Sequence, residues 1–302
     1  MTKNKRELKR SQAQRPWQLF LGVALICLIT GCAVKSKQLL VKELTQSFVE
    51  GTIISSPTGR PVSFDRLLAD LKECRVIYVG ESHANPSHHE IELAIIDAVF
   101  KEDPRVAVGM EMFDHTYQKV LDSWSAGRLD RKSFLRKTHW YANWRYDYAL
   151  YGDILDYIKN NQIRLVGLNI PFHIPPKLRV GGLENLSAAD KRHLPEEIDT
   201  SIRPHREFAE KIFKQHNFEG RDEFDDFYLV QCVWDDAMAE AIALNLKDAK
   251  MIVLAGSGHI QFKYGVPDRA YRRSGAPFRT IYLASVGQEI ELAIADYIWV
   301  TP

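Results

Sequence analysis

Arg75-Val-Ile-Tyr-Val-Gly-Glu-Ser-His-Ala-Asn-Pro-Ser-His-His89 decides the architecture of this chain. Val76 to Val79 is a short apolar run of β-branched and aromatic residues, the composition of a buried strand. It ends at Gly80, and four groups able to ligate a metal or carry a proton follow at once: Glu81, His83, His88 and His89. Pro86 and Ser87 occupy a helix start, and Ile91, Ala94, Ile95, Ala98 and Val99 continue at helical spacing. Strand, polar loop, helix: in an open α/β sheet, the loop leaving a strand's carboxyl end is where ligands bind. Any one of these histidines alone reads as a helix cap facing water. The four together point to a site.

Outward from this unit, further apolar runs alternate with helical patterns. Val106–Met112, Arg164–Asn169, Lys250–Ala255 and Thr280–Val286 are the next four predicted strands, and a run from Glu289 to Val300 adds an edge strand. Continuous apolar strands separated by helices predict an α/β fold with a mainly parallel sheet covered on both faces. Thr52 to Gly59 reads as a short hairpin with Pro57 and Gly59 in the turn, and Ser63 as the N-cap of a helix carrying Phe64, Leu67, Leu68 and Leu71. Residues 114–160 and 171–220 are too long for simple crossovers. They are expected to be helical inserts forming a lid over the strand carboxyl ends. The first is unusually aromatic between His139 and Tyr151. Taken alone, that stripe reads as a helix face packed on the core.

Where each strand stops matters most. The first delivers Glu81 and His83, the second Glu111, the third Asn169, and the fourth Gly256-Ser-Gly-His259. On a parallel sheet these endings share one rim. Gly80-Glu-Ser-His83 and Gly256-Ser-Gly-His259 have the same spacing, and a glycine is expected to let the backbone turn sharply so that the histidine folds back over the sheet edge. Two readings stay open. Glu81, His83, His88 and His259 form a nitrogen and oxygen donor set suited to a divalent transition metal. Glu81, His83, Glu111 and His259 could instead be general acid, base and orienting groups of a hydrolase. His-Glu-x-x-His, paired Cys-x-x-Cys, Walker and Gly-x-Ser-x-Gly signatures are absent.

The formal charge of +1 hides a division. The first 31 residues carry six basic side chains against Glu7 alone, leaving 34 basic and 38 acidic residues in the rest, which argues against a nucleic-acid partner. Trp17 to Ile29 is apolar but shorter than the roughly 20 residues a bilayer span needs. With Leu28-Ile-Thr-Gly-Cys32 it resembles a bacterial lipoprotein signal, in which the cysteine is acylated and becomes the mature N-terminus. Residues 1–31 are then a signal peptide, Cys32 the lipidation site and 32–50 a polar tether, and the body begins near residue 51. With no aspartate beside Cys32, and a Gram-negative source assumed, the expected location is the periplasmic face of the outer membrane. Of the remaining cysteines, Cys74 and Cys232 are expected to be separately buried rather than bridged.

Several motifs now combine: Val79-Gly-Glu-Ser-His83 with His88-His89, Gly109-Met-Glu-Met-Phe113, Gln118-Lys-Val-Leu-Asp122, Trp144-Arg-Tyr-Asp-Tyr148 through Tyr151, Leu168-Asn169, Trp234-Asp-Asp-Ala-Met-Ala239, and Leu254-Ala-Gly-Ser-Gly-His-Ile260 followed by Gly265-Val-Pro267. In this order they resemble the ChaN family of haem-binding uptake lipoproteins, within the Tiki and erythromycin-esterase-like superfamily. Two positions depart from that pattern: Glu92 stands where glutamine is expected, and Ser257 where asparagine is common. The resemblance implies haem as cofactor, an outer-membrane haem receptor as partner, a membrane anchor through lipid, and pairing into a homodimer around stacked haems. It reassigns the aromatic stripe to haem, with Tyr148 and Tyr151 as the first candidate ligands, and Tyr146, Trp144 and His173 beside them. A tyrosinate suits ferric haem. Arg145, Arg164 and Arg179 are candidates for the propionates, and the motif position of Asp235 assigns it to support of the rim.

Overall fold

A computed structural model describes residues 37–215 and 223–302. The signal-like segment and Cys32 lie outside the described residues. Among the described residues there are eleven strands: β1 (Leu39–Val41), β2 (Ser47–Phe48), β3 (Ile53–Ser55), β4 (Arg60–Val62), β5 (Val76–Glu81), β6 (Ala107–Asp114), β7 (Arg164–Asn169), β8 (Met251–Gly256), β9 (Phe278–Ser285), β10 (Glu289–Ile290) and β11 (Tyr297–Thr301). Eight of them form one sheet in the order β4-β3-β11-β9-β5-β8-β6-β7. The six strands from β11 to β7 run parallel, and the β3–β4 hairpin adds antiparallel to β11. The fold is therefore the expected α/β class, with helices on both faces.

Alternation along the strands explains the two layers. Ile77 and Val79 of β5, with Ile252 and Leu254 of β8, face the helices Pro86–Glu102 and Tyr148–Asn160, which bring Ile95, Ile96, Ile154 and Leu155. Val76, Tyr78, Val253 and Ala255 point the other way, onto Met238, Ile242 and Leu246 of the Phe224–Leu246 helix. Each such aliphatic side chain, removed from water, contributes about 1.5–3 kcal/mol before the cost of ordering the chain. Ser63 caps its helix as expected, accepting from the Arg66 amide at 3.2 Å. Asn85 caps the Pro86 helix, accepting from the Ser87 amide at 3.0 Å.

Two expectations need correction. The segment expected as a tether through residue 50 carries β1 and β2, which join β10 in a separate small sheet. Leu39, Val41 and Phe48 are buried there, in runs too short for periodicity to reveal. The Glu289–Val300 run is two strands, and β11 is an interior strand between β9 and β3 rather than an edge. The aromatic stretch His139–Tyr151 is spread over more than one helix, as the several helices expected in that insert allow: the chain breaks at His139 (φ +52°) and again before Asp147, which caps the Tyr148–Asn160 helix. Cys74 and Cys232 are both buried and free. Among the described residues no helix is long and apolar enough to cross a membrane.

Candidate functional site

β5 and β8 are adjacent and in register, so Glu81 lies opposite Gly256 and the two Gly-x-x-His turns leave the sheet side by side. In the first turn Glu81 is fully buried. Its Oε1 accepts from the Tyr151 hydroxyl at 2.8 Å and lies 2.6 Å from His83 Nδ1; its Oε2 lies 3.0 Å from His89 Nδ1. Burial alone would raise this carboxyl, but hydrogen bonds from His83 and His89 outweigh it and hold the group well below the usual range. For His83, burial opposes charge, and the bond to Glu81 with the Glu111 charge prevails, so its affinity for a proton is raised. The ring keeps 20% of its side chain exposed, 4.8 Å from the Trp144 ring and 5.1 Å from that of Tyr146.

The Pro86 helix follows immediately, and its first turn splits the histidine pair. His88 accepts from the Ser82 amide at 2.8 Å and pairs with the Thr301 hydroxyl at 3.1 Å. Burial pushes it down to about 4, so it is neutral. His89 faces Glu81 and, one turn on, Glu92, whose Oε2 is also 3.0 Å from Nδ1; its Nε2 donates to the His83 carbonyl at 3.2 Å. Both carboxylates raise His89 to about 10 against the effect of burial. Burial and the neighbouring Glu81 charge push Glu92 well above the ordinary range.

The second turn is wrapped in charge. Glu111, from the carboxyl half of β6, accepts from the Gly256 amide at 2.7 Å and lies 3.6 Å from His259 Nε2. His259 Nδ1 is 2.6 Å from Asp235 of the Phe224–Leu246 helix. Asp235 in turn lies 3.2 Å from His205. Asp236, next along, is ion-paired to Arg269 and, at 2.8 Å, to Arg273. Burial opposes charge on both members of the rim pair, yet attraction wins: Glu111 falls to about 2 and His259 rises to about 10.

The expected rim set Glu81, His83, Glu111 and His259 is thus brought together. His88 is not: it faces Ser82 and Thr301, so the donor set that included it is not assembled. Tyr148 and Tyr151 do not present hydroxyls to a ligand either. Tyr151 is fully buried and bound to Glu81, and burial and that carboxylate push its hydroxyl far up. Tyr148 is buried against Trp140, pushed up to about 12 by burial. Both follow the core-packing alternative, because the helix they start turns that face onto the sheet. Tyr146, in the break before that helix, is half-buried beside His83, and Trp144 packs between it and Tyr151. His173 is paired at 2.9 Å to Asp190 of the second insert. Arg164 is bonded to the Asn245 carbonyl at the amino end of β7, away from the rim; Arg145 stacks on Tyr146 with 5.7 Å to the ring centre. His205 and Arg269 carry no signal in the sequence, and Asp236, mid-helix beside Asp235, reads there as part of a solvated face. Mid-helix carboxylates signal a solvated face unless a distant cation is known to cover them.

Similarity to known proteins agrees with this geometry. The chain is 21% identical over 286 residues to Protein RETICULATA-RELATED 5, chloroplastic, of Arabidopsis thaliana, covering 85% of this chain and only 38% of that protein's length. A solved structure of Campylobacter jejuni ChaN, described as binding haem cofacially, matches with a TM-score of 0.68 and 20% identity over 82% of this chain and 95% of that one. At that identity the likeness shows the fold. A family model described as haem-binding uptake, Tiki superfamily, ChaN matches residues 67–270, which span both Gly-x-x-His turns, the aromatic insert and the charged helix. The chain belongs to this haem-binding ChaN family.

Proposed function

We propose that this protein is a lipid-anchored periplasmic haem carrier serving iron acquisition, with the haem seated on the rim beside His83, Trp144 and Tyr146. The single observation behind the site is the His83 ring, still partly exposed between two aromatic rings at 4.8 and 5.1 Å. Bound there, haem would supply a ferric iron open to an oxygen or nitrogen axial ligand. Tyr146 is the ligand we assign, since it is the tyrosine of the insert that stands at the rim without being packed away. His83, oriented through Nδ1 by Glu81, keeps Nε2 for the rim, where Gly256 makes room: a Cβ there would come within 2.9 Å of that nitrogen. Arg145 beside Tyr146 suits a propionate. A flat ring on an open rim leaves one face for a second copy, consistent with a homodimer. Anchoring through Cys32 and the outer-membrane location rest on the basic and apolar leader read in the sequence, and transfer to a receptor rests on the family resemblance.

The rival hydrolase reading gains from the convergence of Glu81, His83, Glu111 and His259. Glu111 and Asp235 raise His259 to about 10, so it already carries its proton at neutral pH and is poorly placed to act as the general base. Ferric haem titration followed by absorption tests the proposal. The wild type should show saturable binding with a tyrosinate charge-transfer band. Tyr146→Phe should remove that band and weaken binding by about tenfold or more, whereas Tyr148→Phe should leave the band intact. An unchanged spectrum in Tyr146→Phe would sink the ligand assignment.

A further inference from the structure

Glu81, His89 and Glu92 form a cluster below the rim, of which the haem reading uses only Glu81 Oε1, the oxygen that orients His83. One ligand atom from each lies within 4.8 Å of the others, and all three side chains are buried. The two carboxylates each approach His89 Nδ1 to 3.0 Å, the separation of neighbouring donors that share one ion at about 2.1 Å. Glu92 Oε1 is buried without a hydrogen-bond partner, and Glu81 Oε2 and Glu92 Oε2 must share the single His89 Nδ1, on carboxylate side chains 1% and 0% exposed. Unsatisfied buried acceptors are costly, and two carboxyl groups facing one another out of water compound the cost. A divalent cation removes both penalties.

The surroundings have the features of a built site. His89 Nε2 donates to the His83 carbonyl, fixing the ring so that Nδ1 points inward; outer-shell bonds of this kind orient metal-ligating histidines. The opposite carboxylate oxygen, Glu81 Oε1, is held by Tyr151. Outside, a cavity of about 500 Å³ reaches His89 between the Pro86–Glu102 and Tyr148–Asn160 helices, and Glu90, Asp147 and Asp153 line it. An acidic entrance concentrates cations at a buried ligand set. We propose that Glu81, His89 and Glu92 bind one divalent transition cation, admitted through this acidic cavity and sharing only Glu81 with the rim that carries His83 and His259. A nitrogen with two carboxylate ligands suits such an ion better than calcium or magnesium, which prefer all-oxygen shells.

The test uses Co²⁺ as the probe, added to the metal-stripped protein carrying residues 33–302 and followed by its visible d–d bands and by thermal unfolding. One Co²⁺ per chain should bind, with a rise in Tm. Glu92→Gln preserves shape and should weaken binding by about 100-fold and abolish the rise, while leaving ferric haem titration as in the wild type. His259→Ala should leave Co²⁺ binding unchanged. Wild-type affinity in Glu92→Gln, loss of Co²⁺ only in His259→Ala, or no stoichiometric Co²⁺ binding would each overturn the site. Haem binding in the same samples separates this outcome from failure of the haem reading.

Discussion

The two Gly-x-x-His turns share a spacing and a sheet edge, yet they are built differently. The first, at Gly80, is lined by rings and opens to the rim through His83; the second, at Gly256, is closed by Glu111, Asp235 and the charged groups behind them. Neither glycine has positive φ, so the expected sharp backbone turn is not their purpose. They make room for each other's arm. A Cβ on Gly80 would sit 3.3 Å from Ser257 Cα and Ile260 Cβ of the second turn, and one on Gly256 would sit 2.9 Å from the His83 ring of the first. A repeated motif can therefore encode reciprocal packing rather than two copies of one function.

The largest effect that would break the comparison lies behind the second turn. Arg269 is fully buried and pairs with Asp236, while its guanidinium also lies 3.2 Å from His205, which reaches Asp235 and so His259. Removing one partner of a buried pair strands the other's charge. Arg269→Met should cost about 3–5 kcal/mol in denaturant unfolding. A second substitution, Asp236→Leu, should recover part of that loss. A loss below about 1 kcal/mol, the range of exposed pairs, would show that the second turn does not depend on this charged support.

The first turn should instead reveal itself through acid. His88 ties the Ser82 amide and is held at about 4 in the fold against an ordinary 6.5. The unfolded chain then binds the proton more readily, so this stability is complete above pH 6.5 and is lost as pH falls towards 4. The shift corresponds to about 3 kcal/mol. His205 is lowered by burial as well and adds in the same direction, so the diagnostic quantity is the difference between wild type and His88→Gln. The variant should lose part of the slope of stability against pH between 4 and 6.5; an unchanged slope would remove His88 from the account.

This contrast also explains what was legible in the sequence. The parallel strands were readable because Val76–Val79 and Met251–Ala255 are apolar without interruption, and strand endings alone put Glu81, His83, Glu111 and His259 on one rim. Three things were not readable. The division of labour between His88 and His89 depends on which side of a helix's first turn meets β5, and adjacent residues differ there by about 100°. The burial of Tyr148 and Tyr151 depends on a helix break that no proline or glycine announces. The pairing of Asp236 with Arg269, 33 positions away, is a tertiary contact with no local signal.

The glycines give the smallest and sharpest comparison. In Gly80→Ala the new methyl meets a backbone atom and a branched side-chain stem, neither of which can swing aside, so β5 and the 257–260 turn must separate slightly. Overpacking of that kind should cost about 1–3 kcal/mol. In Gly256→Ala the nearest atoms belong to the His83 ring, which can tilt at the expense of its 2.6 Å bond to Glu81. Stability should then fall by only about 1 kcal/mol. The His83 imidazole resonances should nevertheless shift in NMR spectra, and ferric haem affinity should drop because Nε2 has moved. If Gly80→Ala instead perturbs haem and Gly256→Ala does not, the reciprocal packing is assigned the wrong way round, and the second turn rather than the first carries the ligand face.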